Sequence, residues 1–279
     1  MEYQKTIAGE TTLQGIGVHS GIRTTLTIKP APEDHGISFH RTDLPENPRV
    51  NADLDAVTGT AGGTTLGMEG GEVRTVEHLL AALSAMGIDN LLIELDGPEV
   101  PILDGSSLPF IEMIRRSGLK ELNKPRKTII LSRPVYVIES GMILAALPSD
   151  ELRIACTVAY NHPVLQSQYL SLPINQEIFE NEVAPARTFG FLRDALFLMK
   201  RGLIKGTSLD NTLVIGDDNI FSRGGLRFRD EFVRHKILDL IGDLSLLGGS
   251  LKAMIIAVKS GHDINIKLAK KIREAVNER

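Results

Sequence analysis

The apolar positions of the chain follow two periods, which predict short strands and amphipathic helices in alternation. Residues 75–86 carry an apolar stripe at helical spacing: Val76, Leu79, Leu80 and Leu83. Residues 91–95 follow as a short apolar run that is typical of a buried strand. The same order of helix, glycine and strand returns late in the chain, where a helix is predicted over 230–247 and a strand over 252–258. This repeated order predicts two similarly built halves.

Further runs add strands and a second helix around these elements. The additional strands are predicted over residues 24–29, 128–131, 134–139, 142–147 and 152–160, and the second helix over 108–116. Around residues 122–127 the periodicity lapses and charged side chains accumulate. This change predicts a domain boundary, with an N-terminal domain over 1–126 and a C-terminal domain over 127–279.

Two stretches interrupt the pattern. Residues 58–72 contain six glycines in fifteen positions, which is typical of a mobile loop. Residues 188–221 place apolar side chains between basic residues and glycines. The second stretch has two interpretations: an additional helix packed on the core, or an apolar groove or tunnel near a site.

The composition limits the classes of protein to consider. Hydrophobic residues make up 42% of the 279 positions and charged residues 24%, which predicts a folded chain with a sizeable core. The 31 basic and 35 acidic side chains give a net charge of −4, which argues against a nucleic-acid partner because such proteins carry a basic excess. No apolar run approaches the about 20 residues that span a bilayer. Residues 1–10 lack the apolar stretch of a signal peptide, so we expect a cytoplasmic protein.

The single cysteine narrows the chemistry further. Cys156 has no second cysteine with which to form an internal disulfide or a thiolate zinc site. A metal site in this chain would therefore use histidines and carboxylates. The chain has no long apolar heptad pattern, and we expect a monomer.

The late predicted helix carries three polar residues spaced by four. His235, Asp239 and Asp243 share one helical face, because residues four apart lie about 40° from each other around the axis. A histidine and a carboxylate one turn apart can bind one metal ion together. Spacing alone favours the other interpretation, a solvated face with charge pairs between neighbouring turns.

Two more histidines lie in positions from which they could bind a metal ion or transfer a proton. Glu77 and His78 adjoin on the first helix, away from its apolar stripe, and His262 follows an apolar strand on a glycine turn. Taken singly, Glu77 and His78 indicate an exposed polar pair at a helix–helix contact, and His262 indicates a solvated turn. Taken together with His235 and Asp239, they supply two histidines and an aspartate for a metal, with a glutamate and a further histidine beside them. Three protein ligands leave a fourth position for water, as in catalytic zinc sites. Such a site would lie in the crevice between the two halves.

Seven sequence blocks lie in order along nearly the whole chain: GIGVHSG (15–21), TVEHLLAAL (75–83), GIDN (87–90), PILDGS (101–106), ARTFGF (186–191), RFRDEFVRHK (227–236) and SGH (260–262). Together they resemble the UDP-3-O-acyl-N-acetylglucosamine deacetylases, the zinc amidases of lipid A biosynthesis. The resemblance implies an α+β fold of two similar domains, each a small, mostly antiparallel sheet with helices, sandwiched so that the helices lie between the sheets. It also implies one insert in each domain, near 58–72 and 188–221, the second forming a hydrophobic passage for an acyl chain.

The resemblance assigns the central roles of the site. It implies that His78, His235 and Asp239 bind one Zn²⁺, although such a ligand set also accepts Fe²⁺. It further implies that Glu77 is the general base for the attacking water, which the metal holds, and that His262 is the general acid.

The resemblance also assigns supporting roles. Asp243 matches the carboxylate that pairs with the acid histidine, and Lys236 matches a positive group that faces either the oxyanion or the substrate phosphate. Thr188 matches a hydroxyl near the reacting carbonyl. Phe189 and Asp194 match positions that line the substrate cleft.

The implied reaction is hydrolysis of the N-acetyl group of UDP-3-O-acyl-N-acetylglucosamine to acetate and UDP-3-O-acyl-glucosamine, the committed step of lipid A biosynthesis. Two other functions remain open from the sequence. One is a related zinc amidase that acts on another acylated sugar. The other is a non-catalytic protein that binds an acyl sugar, and Glu77 and His262 argue against it because binding needs neither a base nor an acid.

Overall fold

The protein is built from short strands and six α-helices, which the computed structural model describes over residues 2–67 and 70–278. The strands are β1 (Tyr3–Ile7), β2 (Thr11–Ile16), β3 (Arg23–Pro30), β4 (Ile37–Arg41), β5 (Arg49–Asn51), β6 (Val57–Gly59), β7 (Thr65–Leu66), β8 (Leu91–Leu95), β9 (Leu119–Pro125), β10 (Thr128–Ile130), β11 (Val135–Glu139), β12 (Met142–Pro148), β13 (Arg153–Ala159), β14 (Ser167–Pro173), β15 (Phe189–Phe191), β16 (Leu213–Ile215), β17 (Ile220–Phe221) and β18 (Ser250–Val258). The α-helices are α1 (Glu77–Ala85), α2 (Leu108–Ser117), α3 (Gln176–Ile178), α4 (Leu192–Lys200), α5 (Glu231–Ser245) and α6 (His262–Asn277).

Two sheets of the same topology form the framework. The strand order is β2-β3-β8-β4-β5 in the first sheet and β11-β12-β18-β13-β14 in the second, where β10 also pairs with β18. In each sheet the central strand, β8 or β18, pairs antiparallel with the strand before it in this order and parallel with the strand after it. The predictions of an α+β class and of two similarly built halves are confirmed. The boundary between residues 126 and 127 stays a prediction.

One continuous hydrophobic core joins the sheets through the helices. Leu26 of the first sheet and Ile255 of the second belong to the same buried cluster as Leu79 of α1 and Leu240 of α5. Because α1 and α5 lie between the two sheets, both sides of each helix are buried. The core therefore covers polar residues of these helices as well as their apolar stripes.

Helices α1 and α5 cross in direct backbone contact. A Cβ atom at Gly242 of α5 would lie 2.1 Å from the carbonyl oxygen of Glu77 at the start of α1. Only glycine permits this approach, because any side chain would overlap the backbone of α1. The contact brings the first turn of α1 against the middle of α5.

Helix α1 begins later than its apolar stripe predicts. Thr75 has a φ of 57°, in the left-handed region, so the right-handed helix cannot include it. The Thr75 hydroxyl instead donates a hydrogen bond to the buried carboxylate of Glu99 at 2.8 Å. The helix consequently starts at Glu77, which lies in its first turn.

The two interruptions of the pattern have different structures. The first contains β6, β7 and the fully buried Thr64, so part of the predicted mobile loop packs tightly; its residues Met68 and Glu69 lie outside the described residues. The second contains a small sheet of order β15-β16-β17 and helix α4. No residue of α4 itself is buried. The interpretation of α4 as a helix packed on the core is therefore wrong, and the apolar-groove interpretation remains. Among the described residues, no helix has the length and apolar character needed to cross a membrane.

Candidate active site

A cluster of two histidines and one aspartate lies where α1 meets α5. The Nε2 atoms of His78 and His235 lie 3.6 Å and 3.3 Å from the same oxygen, Oδ1 of Asp239. The three residues are at most 3% exposed. A solvated helix face and an exposed polar pair, the alternatives suggested by the sequence, are therefore wrong.

The cluster fits a zinc ion. Atoms that bind one zinc ion at about 2.0–2.1 Å in tetrahedral geometry lie about 3.3–3.4 Å apart, close to the spacings found here. Oδ1 of Asp239 is buried and has no hydrogen-bond partner among the described residues, although buried carboxylate oxygens normally have one. The Nδ1 of His235 faces the carbonyl oxygen of Ala186 at 3.1 Å, which directs its Nε2 towards Asp239.

Protonation states in the cluster also suit a metal ion. Burial lowers the pKa of His235 to about 3, so its imidazole is neutral at neutral pH, as metal binding requires. Burial alone would raise the pKa of Asp239, but the facing His235 and the Lys236 ammonium outweigh it and hold that pKa well below its usual range. The aspartate is therefore a carboxylate at neutral pH.

A second group, Glu77 and His262, lies beside the first. The Nε2 of His262 is 3.9 Å from Oε1 of Glu77 and 4.0 Å from Oδ2 of Asp239. On the other side of the ring, Nδ1 lies 2.9 Å from Oδ2 of Asp243. The fully buried Asp243 therefore fixes the ring so that its Nε2 points towards Glu77 and the cluster.

Burial and charge shift the proton affinities of this pair. Burial raises the pKa of Glu77, an effect that His262 partly offsets. Burial would lower the pKa of His262, but the carboxylates of Asp243 and Glu77 outweigh it and raise that pKa to about 9. Glu77 is thereby a stronger proton acceptor than an exposed glutamate, and His262 is cationic at neutral pH.

The remaining predicted site residues differ in their distance from the cluster. Lys236 donates a hydrogen bond from Nζ to Oδ2 of Asp239 at 2.7 Å, and this carboxylate raises the pKa of Lys236 despite the burial that would lower it. Phe189 packs edge-on against His235, with 6.1 Å between ring centroids. Thr188 is half-buried immediately before β15. Asp194 is exposed in the first turn of α4, and no hydrogen bond or ion pair of the described residues joins it to the cluster.

A buried ion pair that the sequence did not reveal supports the cluster. The Arg187 guanidinium donates from Nε to Oε1 of Glu231 at 2.9 Å, and both residues are buried. The Arg187 backbone N–H donates to the same oxygen at 3.0 Å, and the Arg227 N–H to Oε2 at 2.6 Å. These bonds hold the segment that carries the Ala186 carbonyl against His235. Both partners lie inside family-like blocks, but no spacing pairs residues 44 positions apart.

Removal of this pair's carboxylate is expected to destabilise the fold. Glu231→Ala leaves the Arg187 cation buried without its partner, which costs about 3–5 kcal/mol in comparable pairs. Urea unfolding of the variant should show this loss. The matched control is Glu151→Ala, which removes an exposed ion pair with Arg153 and should change the free energy of unfolding little. Equal stabilities for the two variants would contradict the expectation.

His19, which lies in the first family-like block, joins the two interruptions. Its Nε2 lies 3.0 Å from the carbonyl oxygen of Gly62, and its own carbonyl accepts from the N–H of Lys205 at 3.2 Å. The buried Glu99 accepts the backbone N–H groups of His19 and Ser20 at 3.0 Å and 2.7 Å. The first block of family-like sequence is therefore a structural bridge between the inserts.

Comparison with known proteins agrees with the site's chemistry. Residues 4–274 match the family model described as UDP-3-O-acyl N-acetylglycosamine deacetylase. A UDP-3-O-acyl-N-acetylglucosamine deacetylase of Myxococcus xanthus is 47% identical over 269 residues, which cover 96% of this chain and 86% of that protein. Deacetylases of the same name from Syntrophotalea carbinolica and Thermodesulfovibrio yellowstonii are 43% and 44% identical, over 98% of this chain and 88% and 93% of theirs. The resemblance seen in the sequence blocks is thus confirmed, and the chain belongs to the UDP-3-O-acyl N-acetylglycosamine deacetylase family.

Proposed function

We propose that this protein is a zinc-dependent deacetylase that hydrolyses the N-acetyl group of UDP-3-O-acyl-N-acetylglucosamine, the committed step of lipid A biosynthesis. The products are acetate and UDP-3-O-acyl-glucosamine. The observation that carries the proposal is the buried His78–His235–Asp239 cluster with Glu77 and His262 beside it, in a chain of this family. A binding protein would have no use for a base and an acid placed together.

The metal would be held by His78, His235 and Asp239. When bound, a zinc ion supplies a Lewis acid that lowers the pKa of water to about 7 and polarises a carbonyl group. The described chain offers a neutral imidazole in His235 and a carboxylate in Asp239 for this purpose. Histidine and carboxylate ligands also bind Fe²⁺, which is therefore the alternative metal.

Glu77 and His262 would move the protons. Glu77 accepts a proton from the attacking water as the water oxygen bonds to the amide carbon. Its Oε2 already accepts the Thr64 N–H at 2.9 Å, so Oε1, which faces His262, is the oxygen free to take that proton. His262 then gives its Nε2 proton to the departing nitrogen as the carbon–nitrogen bond breaks. Asp243 keeps the ring cationic until that step.

Other residues would bind the substrate and stabilise developing charge. The Thr188 hydroxyl would donate to the oxyanion, a contribution of about 3 kcal/mol in comparable sites. The Lys236 ammonium would face either the oxyanion or the substrate phosphate. Phe189 and Asp194 would line the cleft. The acyl chain would lie along residues 188–221, where α4 presents apolar side chains such as Leu196, which is 74% exposed.

Metal removal and substrate turnover test the proposal together. Dialysis against a chelator is expected to abolish release of acetate from UDP-3-O-acyl-N-acetylglucosamine, and about one equivalent of Zn²⁺ should restore it. Fe²⁺ added to the same apoprotein compares the two metals. An acylated N-acetylglucosamine without the UDP group is the control substrate, and faster turnover of that control would favour a related amidase. Tight substrate binding without acetate release by the zinc-loaded protein would instead identify a binding protein.

A further inference from the structure

Thr64, which no sequence pattern singled out, contacts both Glu77, the proposed base, and Asp243, the carboxylate that orients the proposed acid. It lies in the first insert and is fully buried. Its backbone N–H donates to Oε2 of Glu77 at 2.9 Å, and its hydroxyl donates to Oδ1 of Asp243 at 2.5 Å. One residue thus binds the proposed base and the carboxylate that orients the proposed acid.

The Thr64 hydroxyl completes the set of donors around Asp243. Oδ2 of this buried carboxylate faces His262 Nδ1 at 2.9 Å and accepts from Asn265 Nδ2 at 2.8 Å. Among the described residues, the hydroxyl of Thr64 is the donor to Oδ1. A buried carboxylate needs such donors, and their directions determine how the carboxylate is rotated. Loss of the hydroxyl would leave Oδ1 without that donor and free the carboxylate to rotate.

The backbone around Thr64 fixes where its hydroxyl points. The Thr64 carbonyl accepts the N–H of Val76, just before α1, at 3.3 Å. Gly63 packs so closely that a Cβ atom on it would lie 2.9 Å from Oε1 of Glu77. The insert is thereby anchored against the first turn of α1, and the side chain of Thr64 reaches α5 from a fixed position.

We infer that Thr64 is a positioning residue for the deacetylation, an inference that rests on the proposed function. Its N–H occupies Oε2 of Glu77 and so leaves Oε1 for the water. Its hydroxyl holds Asp243, and through Asp243 the ring of His262, whose Nδ1 also lies 3.4 Å from the hydroxyl oxygen. The hydroxyl, rather than the volume of the side chain, carries the effect on His262.

Two substitutions separate the hydroxyl from the volume. Thr64→Val keeps the shape and removes the hydroxyl, whereas Thr64→Ser keeps the hydroxyl and removes a methyl group. Residues that orient metal ligands by hydrogen bonding typically contribute 10–100-fold to metal affinity or activity, and we expect an effect of similar size for a residue that orients the acid. We expect Thr64→Val to lower kcat by about that factor with little change in KM and unchanged zinc content. Thr64→Ser should stay within a few-fold of the wild-type kcat.

Controls keep the outcome specific to Thr64. Thr65→Val alters the next, half-buried residue and should leave kcat unchanged. If Thr64→Val does not fold, the pair Thr64→Ser and Thr64→Ala differs by the hydroxyl alone and gives the same comparison. A wild-type kcat in Thr64→Val, or an equal loss in Thr64→Ser and Thr64→Val, would overturn the inference.

A spectroscopic measurement separates this inference from the proposed function. Nitrogen-15 spectra of the His262 ring, recorded without substrate, report on its hydrogen bond to Asp243 whether or not the protein is a deacetylase. We expect Thr64→Val to change the Nδ1–H signal and Thr64→Ser to preserve it. An unchanged signal in Thr64→Val would overturn the positioning role, whereas a changed signal in a protein that releases no acetate would overturn only the proposed function.

Discussion

Glu77→Gln is expected to keep the fold and the metal and to lose a factor of about 10²–10⁴ in kcat. The amide has the size of the carboxyl group and its oxygen can still accept the Thr64 N–H. It cannot accept a proton from water, so the variant tests basicity apart from shape. Because Glu77 is buried, the neutral amide adds no desolvation cost. Steady-state kinetics and zinc analysis of the same preparation measure the two properties.

Glu72→Gln is the matched control for this variant. Glu72 lies at the end of the first insert, shortly before α1, where it forms a partly exposed ion pair with Arg74. Its substitution should leave kcat unchanged. A Glu77→Gln enzyme whose kcat falls less than tenfold would exclude Glu77 as the general base.

His78→Ala is expected to lose the metal and, with it, turnover. The substitution removes one of three ligand side chains, and His235 and Asp239 on α5 would hold an ion only weakly. Zinc content should fall from about one equivalent to near zero, and acetate release should fall to the rate without enzyme. The result differs from that of Glu77→Gln, in which the metal stays.

A half-buried histidine outside the cluster supplies the control for metal loss. His35 lies in the first half, where its Nδ1 contacts the neighbouring Gly36 carbonyl. His35→Ala should keep both zinc and activity. Stoichiometric zinc in His78→Ala, at the affinity of the wild type, would place the metal elsewhere.

Periodicity predicted α1, α2, α5 and several strands, but it missed α6 and did not indicate which polar residues are buried. The stripe of Leu79, Leu80 and Leu83 located α1 because one face of the helix meets the core. Glu77 and His78 lie off that stripe, yet they are buried because α5 covers the other side. No pattern within one helix records what packs against its polar face, so the exposed interpretations of these residues were wrong.

The site could be predicted from the sequence only through its resemblance to a family. Spacing alone placed His235, Asp239 and Asp243 on one helical face, and the family-like blocks joined that face to His78 and His262. Thr64 was missed because its contact with Asp243 spans 179 positions and leaves no trace in local order. Glu231 was missed for the same reason.

The contact between Gly242 and the backbone of Glu77 makes ligand geometry a property of helix packing. His78 belongs to α1, whereas His235 and Asp239 belong to α5, so the separation of the two helix axes affects how far the first proposed ligand lies from the other two. A side chain at position 242 would push α1 away from α5 and so move His78 away from His235 and Asp239. The distance between the proposed ligands therefore depends on a residue that has no side chain and is not one of those ligands.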